Sequence, residues 1–306
     1  MNDRESLLIV GTGAMASLFG ARLSAAGLDV TLLGTWEEGL QALHQVGIRY
    51  ETPDEQNIYS VRAIRSPSEA GKVTYALILV KSWQTERAAK QLEEILPEDG
   101  LALTLQNGLG NRQILNRILG QDRVVQGATT TGATLLGPGH VRPGGEGVIT
   151  VEDHPGIRPL IDHLRAADFK VERVADIEGL LWRKLVVNVA INPLTAILGV
   201  PNGELLNRPA ALQLMANAVQ EVNLVGQAAG VEIALDDPMD VAENVARKTA
   251  NNRSSMLQDV SRGAPTEIDV ICGAVIRAGE RHGIATPVNR TLYLLIKSLI
   301  ENKENS

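Results

Sequence analysis

Lys184, Asn188 and Asn192 recur four residues apart within Trp182-Arg183-Lys184-Leu185-Val186-Val187-Asn188-Val189-Ala190-Ile191-Asn192-Pro193. On a helix this spacing places them close to one face, one turn apart. An ammonium and two carboxamides then form a stripe among aliphatic neighbours. Such a stripe faces either water or a ligand that needs one cation and several neutral hydrogen-bonding groups. A solvated face on a helix this long usually carries more charge, but spacing alone does not choose between the two. Pro193 predicts a helix boundary just after Asn192, because the residue before proline avoids the helical region.

A second constellation lies near the N-terminus. Gly11-Thr12-Gly13-Ala14-Met15-Ala16 follows the apolar run Leu7–Val10 and opens a helical pattern. In that context the G-x-G-x-x-A spacing has a mechanism. Gly11 permits a tight turn, the bare Gly13 lets backbone approach a pyrophosphate, and Ala16 lets the helix pack closely on its strand. The N–H groups at the helix start attract phosphate oxygens. Dinucleotide binding is therefore expected, against the plainer reading of an ordinary strand-to-helix turn. The next strand ends in Leu33-Gly34-Thr35-Trp36-Glu37-Glu38. An acid at its end would favour NAD and an arginine NADP. Thr35 can bond a hydroxyl or a phosphate, so this position leaves the cofactor open. Lys81 follows another buried strand, where open α/β sheets face the ligand crevice; it either contacts cofactor or solvates its loop.

The elements that must position these groups fall into two sets. Leu7–Val10, Val30–Leu33, Ala76–Val80, Leu101–Leu105 and Val124–Gly127 read as short buried strands, and Ile58–Ile64 as a half-exposed one. Helical stretches separate them, among them Ala16–Ala26, which Gly27 ends, and Thr85–Leu96. Strands alternating with helices predict an α/β fold with a doubly wound parallel sheet. From about Ile177 strand signals fade. Helices are predicted over Ile177–Asn192, Pro209–Ala229, Pro238–Lys248, Thr266–His282 and Arg290–Glu301, with a frayed polar tail over Glu301–Ser306. The expected division is 1–175 for dinucleotide binding and 176–306 for an all-helical C-terminal domain that binds substrate and carries catalysis.

Bulk properties narrow the function. A net charge of −7 disfavours non-specific nucleic-acid binding. The lone Cys272 excludes an intrachain disulfide and a cysteine-based metal site; it is expected to be buried and inert, with Trp182 a packing residue. The histidines, His44, His140, His154, His163 and His282, show no metal-ligand spacing, so no metal is expected. No signal-like segment is read at the start, and no apolar run approaches the roughly 18–20 residues needed to span a bilayer. A cytoplasmic protein without membrane or nucleic-acid partners is expected, and helical second domains of this kind often form homodimers.

Several motifs in order resemble the ketopantoate reductase (2-dehydropantoate 2-reductase) family. Trp182–Leu205 carries WRKL, VN, INPLTAI and PNGEL. Ser254-Ser255-Met256-Leu257-Gln258-Asp259 with Thr266-Glu267-Ile268-Asp269 is similar to a second signature, and His282-Gly283-Ile284-Ala285-Thr286-Pro287 to its continuation. The glycine turn, Lys81-Ser82-Trp83-Gln84 and Gln106-Asn107-Gly108-Leu109-Gly110 also fit. The resemblance spans almost the whole chain. It implies a Rossmann domain followed by a helical domain, an active site in the cleft between them, and NADPH-dependent reduction of 2-dehydropantoate to (R)-pantoate. It implies Lys184 as the catalytic lysine and Glu267 as the active-site glutamate. Asn188, Asn192 and Ser255 fall on substrate-binding positions, and Lys81 and Asn107 lie near the cofactor and reacting centre. One departure stands out. Thr35-Trp36 occupies the place where the family often carries an arginine for the 2′-phosphate. NADPH stays the first expectation if another basic residue folds nearby, and NAD the alternative.

The implied chemistry is hydride transfer to a ketone carbon. Lys184 would act as general acid to the carbonyl oxygen. Desolvation would lower its pKa and Glu267 would oppose that shift. Asn107 would orient ketone or nicotinamide, Asn188 and Asn192 would bond substrate oxygens, Ser255 the substrate carboxylate, and Glu267 a substrate hydroxyl. Without the resemblance, Glu267 after Pro265 reads as a helix-start carboxylate. Two rival readings remain: a reductase of another small 2-keto or hydroxy acid, and a non-catalytic dinucleotide sensor.

Overall fold

The computed structural model of the 306-residue chain describes residues 7–233 and 235–304. Their contacts divide into two compact units, one comprising the chain up to Gln106 with Asn111–Ile177, the other comprising Asn107–Gly110 and the chain from Glu178 onward.

In the first unit the elements run β1 (Leu7–Val10), α1 (Ala14–Ala25), β2 (Val30–Leu33), α2 (Glu37–Gln45), β3 (Ile48–Glu51), β4 (Gln56–Tyr59), β5 (Arg62–Ile64), β6 (Tyr75–Ile78), α3 (Thr85–Glu93), β7 (Leu101–Thr104), α4 (Asn111–Leu119), β8 (Val124–Thr129), β9 (Ala133–Gly137), β10 (His140–Pro143), β11 (Val148–Glu152), α5 (Arg158–Ala166) and β12 (Lys170–Val174). The main sheet has eight strands in the order β12-β11-β8-β7-β6-β1-β2-β5. It is parallel except where β11 meets β8. The strand β1 is apolar at every position because both its faces are covered. Leu7 and Ile9 pack with Phe19 and Leu32, whereas Leu8 and Val10 pack on the other side with Ala88, Leu92 and Leu115. Placing β1 between β2 and β6 creates the switch point at which doubly wound sheets bind ligands.

A second sheet of four strands, β4-β3-β10-β9, was not anticipated. It corrects the single strand expected over Ile58–Ile64. The chain leaves this small sheet after Tyr59 and joins the main sheet at Arg62, beside β2. Ile58 is exposed while Ala63 and Ile64 are buried. One alternating pattern thus ran across two strands in different sheets.

The second unit holds α6 (Ile177–Leu198), α7 (Pro209–Ala228), α8 (Pro238–Lys248), α9 (Ser255–Ser261), α10 (Cys272–His282) and α11 (Pro287–Glu304), and no strand among its described residues. Its core gathers on α6, where Trp182, Leu185, Val186, Val189 and Ala190 pack with Met215, Val222, Cys272 and Val275. Cys272 is fully buried and its thiol is pushed far up by desolvation. Four expectations need correction here. The helix does not stop before Pro193 but runs through it to Leu198. Proline removes one amide donor, yet the residues around it, Ile191 to Ala196, are all buried. Tertiary packing overrides the local preference, and the Thr195 hydroxyl adds side-chain bonds in the following turn, 2.8 Å from the Ile191 carbonyl and 3.0 Å from that of Asn192. The helix expected over Thr266–His282 is broken: a 3-10 turn at Ile268–Val270 precedes α10, because Ile271 leaves helical geometry (φ −100°, ψ −95°). Finally, α6, at 22 residues, is long and apolar enough by length and composition to cross a membrane, contrary to the expectation of no such run; 61% of its most apolar window is buried, as in a core helix. At the C-terminus α11 stays helical through Glu304 instead of fraying from Glu301, and residues 305 and 306 lie outside the described residues.

Candidate active site

In the first unit the glycine turn is built as backbone requirements dictate. Gly11 adopts φ +132°, a region open in practice only to glycine, and a Cβ there would sit 3.2 Å from the Leu79 carbonyl oxygen. Gly13 is different. Its φ of −86° suits any residue, and a Cβ there would meet nothing within 4 Å. The space is open, as it must be if a phosphate is to lie against this backbone. Gly13 caps α1 with no side-chain bond, and the first turn carries no acid, so the N–H groups and helix dipole present positive potential. Ala14 and Met15 are half-buried at the start of α1, and Ala16 is fully buried beneath it. These features fit a dinucleotide pyrophosphate. Thr12 is buried, and its side chain fills the place a Cβ on Gly34 would occupy. The glycine turn and the end of β2 are therefore in direct contact.

Thr35, exposed just past β2, accepts a hydrogen bond of 2.6 Å from the Arg87 guanidinium on the first turn of α3. Sequence reasoning missed Arg87; it lies 52 residues from Thr35 and no local pattern joins them. Lys81 is half-buried at the start of the 3-10 turn Ser82–Gln84. A buried polar network, also missed, fixes this end of the sheet. Gln106 donates to the Val80 carbonyl at 3.0 Å and to Thr85 Oγ1 at 2.9 Å. The Thr85 hydroxyl lies 2.7 Å from the Ser82 carbonyl and 3.0 Å from Asn111 Oδ1. Burial makes each of these bonds costly to lose, so α3 and α4 are pinned at their first turns.

The second unit brings Lys184, Glu267 and Asn107 together. Asn107 Nδ2 donates to Glu267 Oε2 at 3.3 Å. The approach depends on Gly108, whose φ of +77° and missing side chain let the backbone lie against Val270, where a Cβ would collide with the carbonyl oxygen. That carbonyl accepts from Leu109 N–H at 3.0 Å, and Val270 N–H bonds the Glu267 carbonyl at 3.1 Å. The same bond to Leu109 takes the acceptor that a continuing helix would have used. Glu267 caps the 3-10 turn by position, but its side chain makes no cap bond. It is buried, with its carboxylate given to Asn107 and to the field at Lys184. The simple helix-start reading of Glu267 therefore fails.

Lys184 is half-buried on α6. Desolvation by the surrounding protein lowers its pKa from 10.5 to about 8, and the Glu267 carboxylate opposes that shift. One turn on, Asn188 has an Nδ2 that is shielded from water and bonded to nothing among the described residues. A buried amide donor without a protein partner is costly unless something else accepts from it. Asn192 is buried one turn further. Ser255 is exposed at the first turn of α9 and bonds none of the other candidates. Its neighbour Ser254 is the cap, accepting from Leu257 N–H at 3.0 Å and lying 2.7 Å from the Thr195 hydroxyl. Ser254 thereby ties α9 to α6 beside Asn192. No cluster of three or more metal-ligating side chains occurs among the described residues.

Two family models match. Residues 7–156 match the ketopantoate reductase PanE/ApbA model, and residues 176–300 match its C-terminal counterpart. The chain is 38% identical over 300 residues to a 2-dehydropantoate 2-reductase of Archaeoglobus fulgidus, covering 96% of this chain and 98% of the relative. It is 34% identical over 303 residues to that of Vibrio cholerae, covering 96% and 97%. Among solved structures, a PanE/ApbA family ketopantoate reductase from Ralstonia eutropha superimposes with a TM-score of 0.90 at 32% identity, covering 98% of this chain and 99% of the other. D-mandelate dehydrogenase bound to NADH and anilino(oxo)acetate superimposes with a TM-score of 0.92 at 26% identity, covering 98% and 99%. With both segments matched in order and relatives this similar over nearly full length, the chain belongs to the ketopantoate reductase (PanE/ApbA) family.

Proposed function

We propose that this chain is an oxidoreductase that reduces 2-dehydropantoate to (R)-pantoate, serving pantothenate and coenzyme A synthesis in the cytoplasm, with NADPH as its cofactor. The observation that carries the reading is the half-buried Lys184, its pKa lowered to about 8 by desolvation, beside Glu267 and in line with the unpartnered Asn188 donor. The names of the relatives supply the substrate. The first unit serves as the dinucleotide domain, through Gly11 to Ala16, Thr35 and Lys81. The second serves as the substrate and catalytic domain.

A nicotinamide dinucleotide, when bound, supplies the hydride. The protein's part is orientation and proton supply. Negative charge grows on the substrate carbonyl oxygen, and Lys184 Nζ stabilises it and donates the proton that completes the alcohol. With a pKa near 8, Lys184 is mostly charged at neutral pH yet close enough to neutrality to release its proton. Glu267 holds the Asn107 amide and accepts from the substrate hydroxyl, while Asn107 orients the ketone. Asn188 Nδ2 donates to a substrate oxygen and so satisfies the buried donor. Asn192 and Ser255 bond the substrate carboxylate end.

The D-mandelate dehydrogenase neighbour supports a second reading, reduction of a bulkier 2-keto acid with NADH. Steady-state oxidation of NADPH and of NADH against 2-dehydropantoate, pyruvate, 2-oxoisovalerate and benzoylformate separates the two. The proposal expects the highest kcat/KM for 2-dehydropantoate. A higher value for benzoylformate, or equal values across the panel, removes the named substrate. Turnover retained in Lys184→Ala removes the mechanism.

A further inference from the structure

The second β-strand of this chain ends without the basic residue that would grip a 2′-phosphate, yet an arginine arrives there from elsewhere. We propose that Arg87, held on Thr35, is the residue that recognises the 2′-phosphate of the dinucleotide and sets its preference for NADPH over NADH. The inference rests on the reductase reading above and concerns the cofactor end of it.

The placement follows from topology. β1 lies between β2 and β6 in the sheet, and α3 is the helix that follows β6. To reach Thr35 at the end of β2, the Arg87 side chain crosses the end of β1, where the glycine turn begins. The turn itself touches the end of β2, because Thr12 packs into the space left by Gly34. A dinucleotide lying with its pyrophosphate on Gly13 therefore brings its adenosine ribose towards Thr35.

The chemistry of the position is that of an anion site. Arg87 donates from Nη1 to the Thr35 hydroxyl at 2.6 Å. Its Nε is buried and bonds nothing among the described residues, and no carboxylate there pairs with it. The only influence on its pKa is desolvation, and a guanidinium stays charged regardless. The nearby Arg65 is spoken for, since its guanidinium meets Glu37 at 2.7 Å. Arg87, unlike Arg65, has no carboxylate partner among the described residues. Its helix does not drift, because Thr85 ties the first turn of α3 to Gln106 and Asn111. A guanidinium offers several donors in a fixed fork to phosphate oxygens, and the Thr35 hydroxyl adds one more.

Calorimetric titration with NADPH, NADH, adenosine 2′,5′-bisphosphate and 5′-AMP tests the assignment without turnover. The parent is expected to bind the two 2′-phosphorylated ligands more tightly than their counterparts. Loss of one charge-assisted contact in Arg87→Ala should weaken those two by about 10- to 100-fold, with NADH and 5′-AMP changed by less than about threefold. Arg87→Lys should keep part of the preference. Thr35→Glu, at an exposed position that does not threaten the fold, should pair with Arg87, repel the phosphate and invert the preference. The assignment is overturned if the parent shows no 2′-phosphate preference, if Arg87→Ala weakens NADPH and NADH equally, or if Arg65→Ala removes the preference and Arg87→Ala does not. A parent that binds neither dinucleotide brings down the reductase reading itself, a separate result.

Discussion

Under the function proposed above, the glycine turn of the sheet unit and the lysine cluster of the helical unit would recognise their ligands by opposite means. The turn works through backbone and empty space: Gly11 supplies a dihedral, Gly13 supplies room, and helix N–H groups supply charge. Nothing in it needs to titrate. The lysine cluster works through side chains whose chemistry depends on burial: desolvation lowers the Lys184 pKa, and the Glu267 carboxylate opposes that shift. A backbone site tolerates little change in shape but is indifferent to pH. A side-chain site is the reverse, and substitutions should separate the two.

The largest effect is expected from Lys184→Ala. Loss of the proton donor should lower kcat by about 10²- to 10⁴-fold, with the dissociation constant of NADPH within twofold in a fluorescence titration. A matching loss of dinucleotide affinity would mean the two regions are not separable. Next come two glycines that look alike in sequence and should not behave alike. Gly13→Ala adds a methyl to open space at an ordinary φ, so the melting temperature should stay put while dinucleotide affinity falls roughly tenfold. Gly108→Ala forces a positive φ on alanine and drives its Cβ into the Val270 carbonyl. It should cost about 2 kcal/mol or more in urea unfolding and disturb Asn107 with it.

The pH profile sharpens the contrast further. Lys184 must be protonated to act, so kcat/KM should fall as pH rises through about 8. The Glu267 charge raises the Lys184 pKa, so Glu267→Gln should move that falling limb to lower pH. A limb that stays in place would show the carboxylate too distant to matter. NADPH binding should show no matching limb. The smallest effect belongs to Asn188. Replacing its unpartnered buried donor in Asn188→Leu should leave stability unchanged or raise it by about 1 kcal/mol, while KM for the keto acid rises severalfold. A fall in stability would mean that the amide is already satisfied.

The same contrast governs what could be read from the chain alone. The sheet unit announced itself because Leu7–Val10, the glycines and Ala16 each answer a local demand of strand, turn and helix packing. The spacing of Lys184, Asn188 and Asn192 also survived, since one helix holds all three. What failed was whatever depended on distant partners. Pro193 did not end α6, because the buried surroundings of Ile191 to Ala196 outweigh the local preference of proline. The alternation over Ile58–Ile64 could not reveal that its halves join different sheets. Arg87 was invisible as a neighbour of Thr35, and the helix expected from Thr266 broke because Leu109, far away in sequence, takes the Val270 carbonyl.

Residues Asn107–Gly110 are surrounded in sequence by the sheet unit and yet belong by contact to the helical one. The polypeptide consequently passes from one unit to the other at three peptide junctions, not one. Cutting the gene at residue 178 would yield a helical fragment deprived of the Asn107 amide, with the Val270 carbonyl stripped of Leu109. The helical unit is therefore not a cassette that could be transplanted whole by one cut, because four residues that belong to it by contact are encoded within the sheet unit.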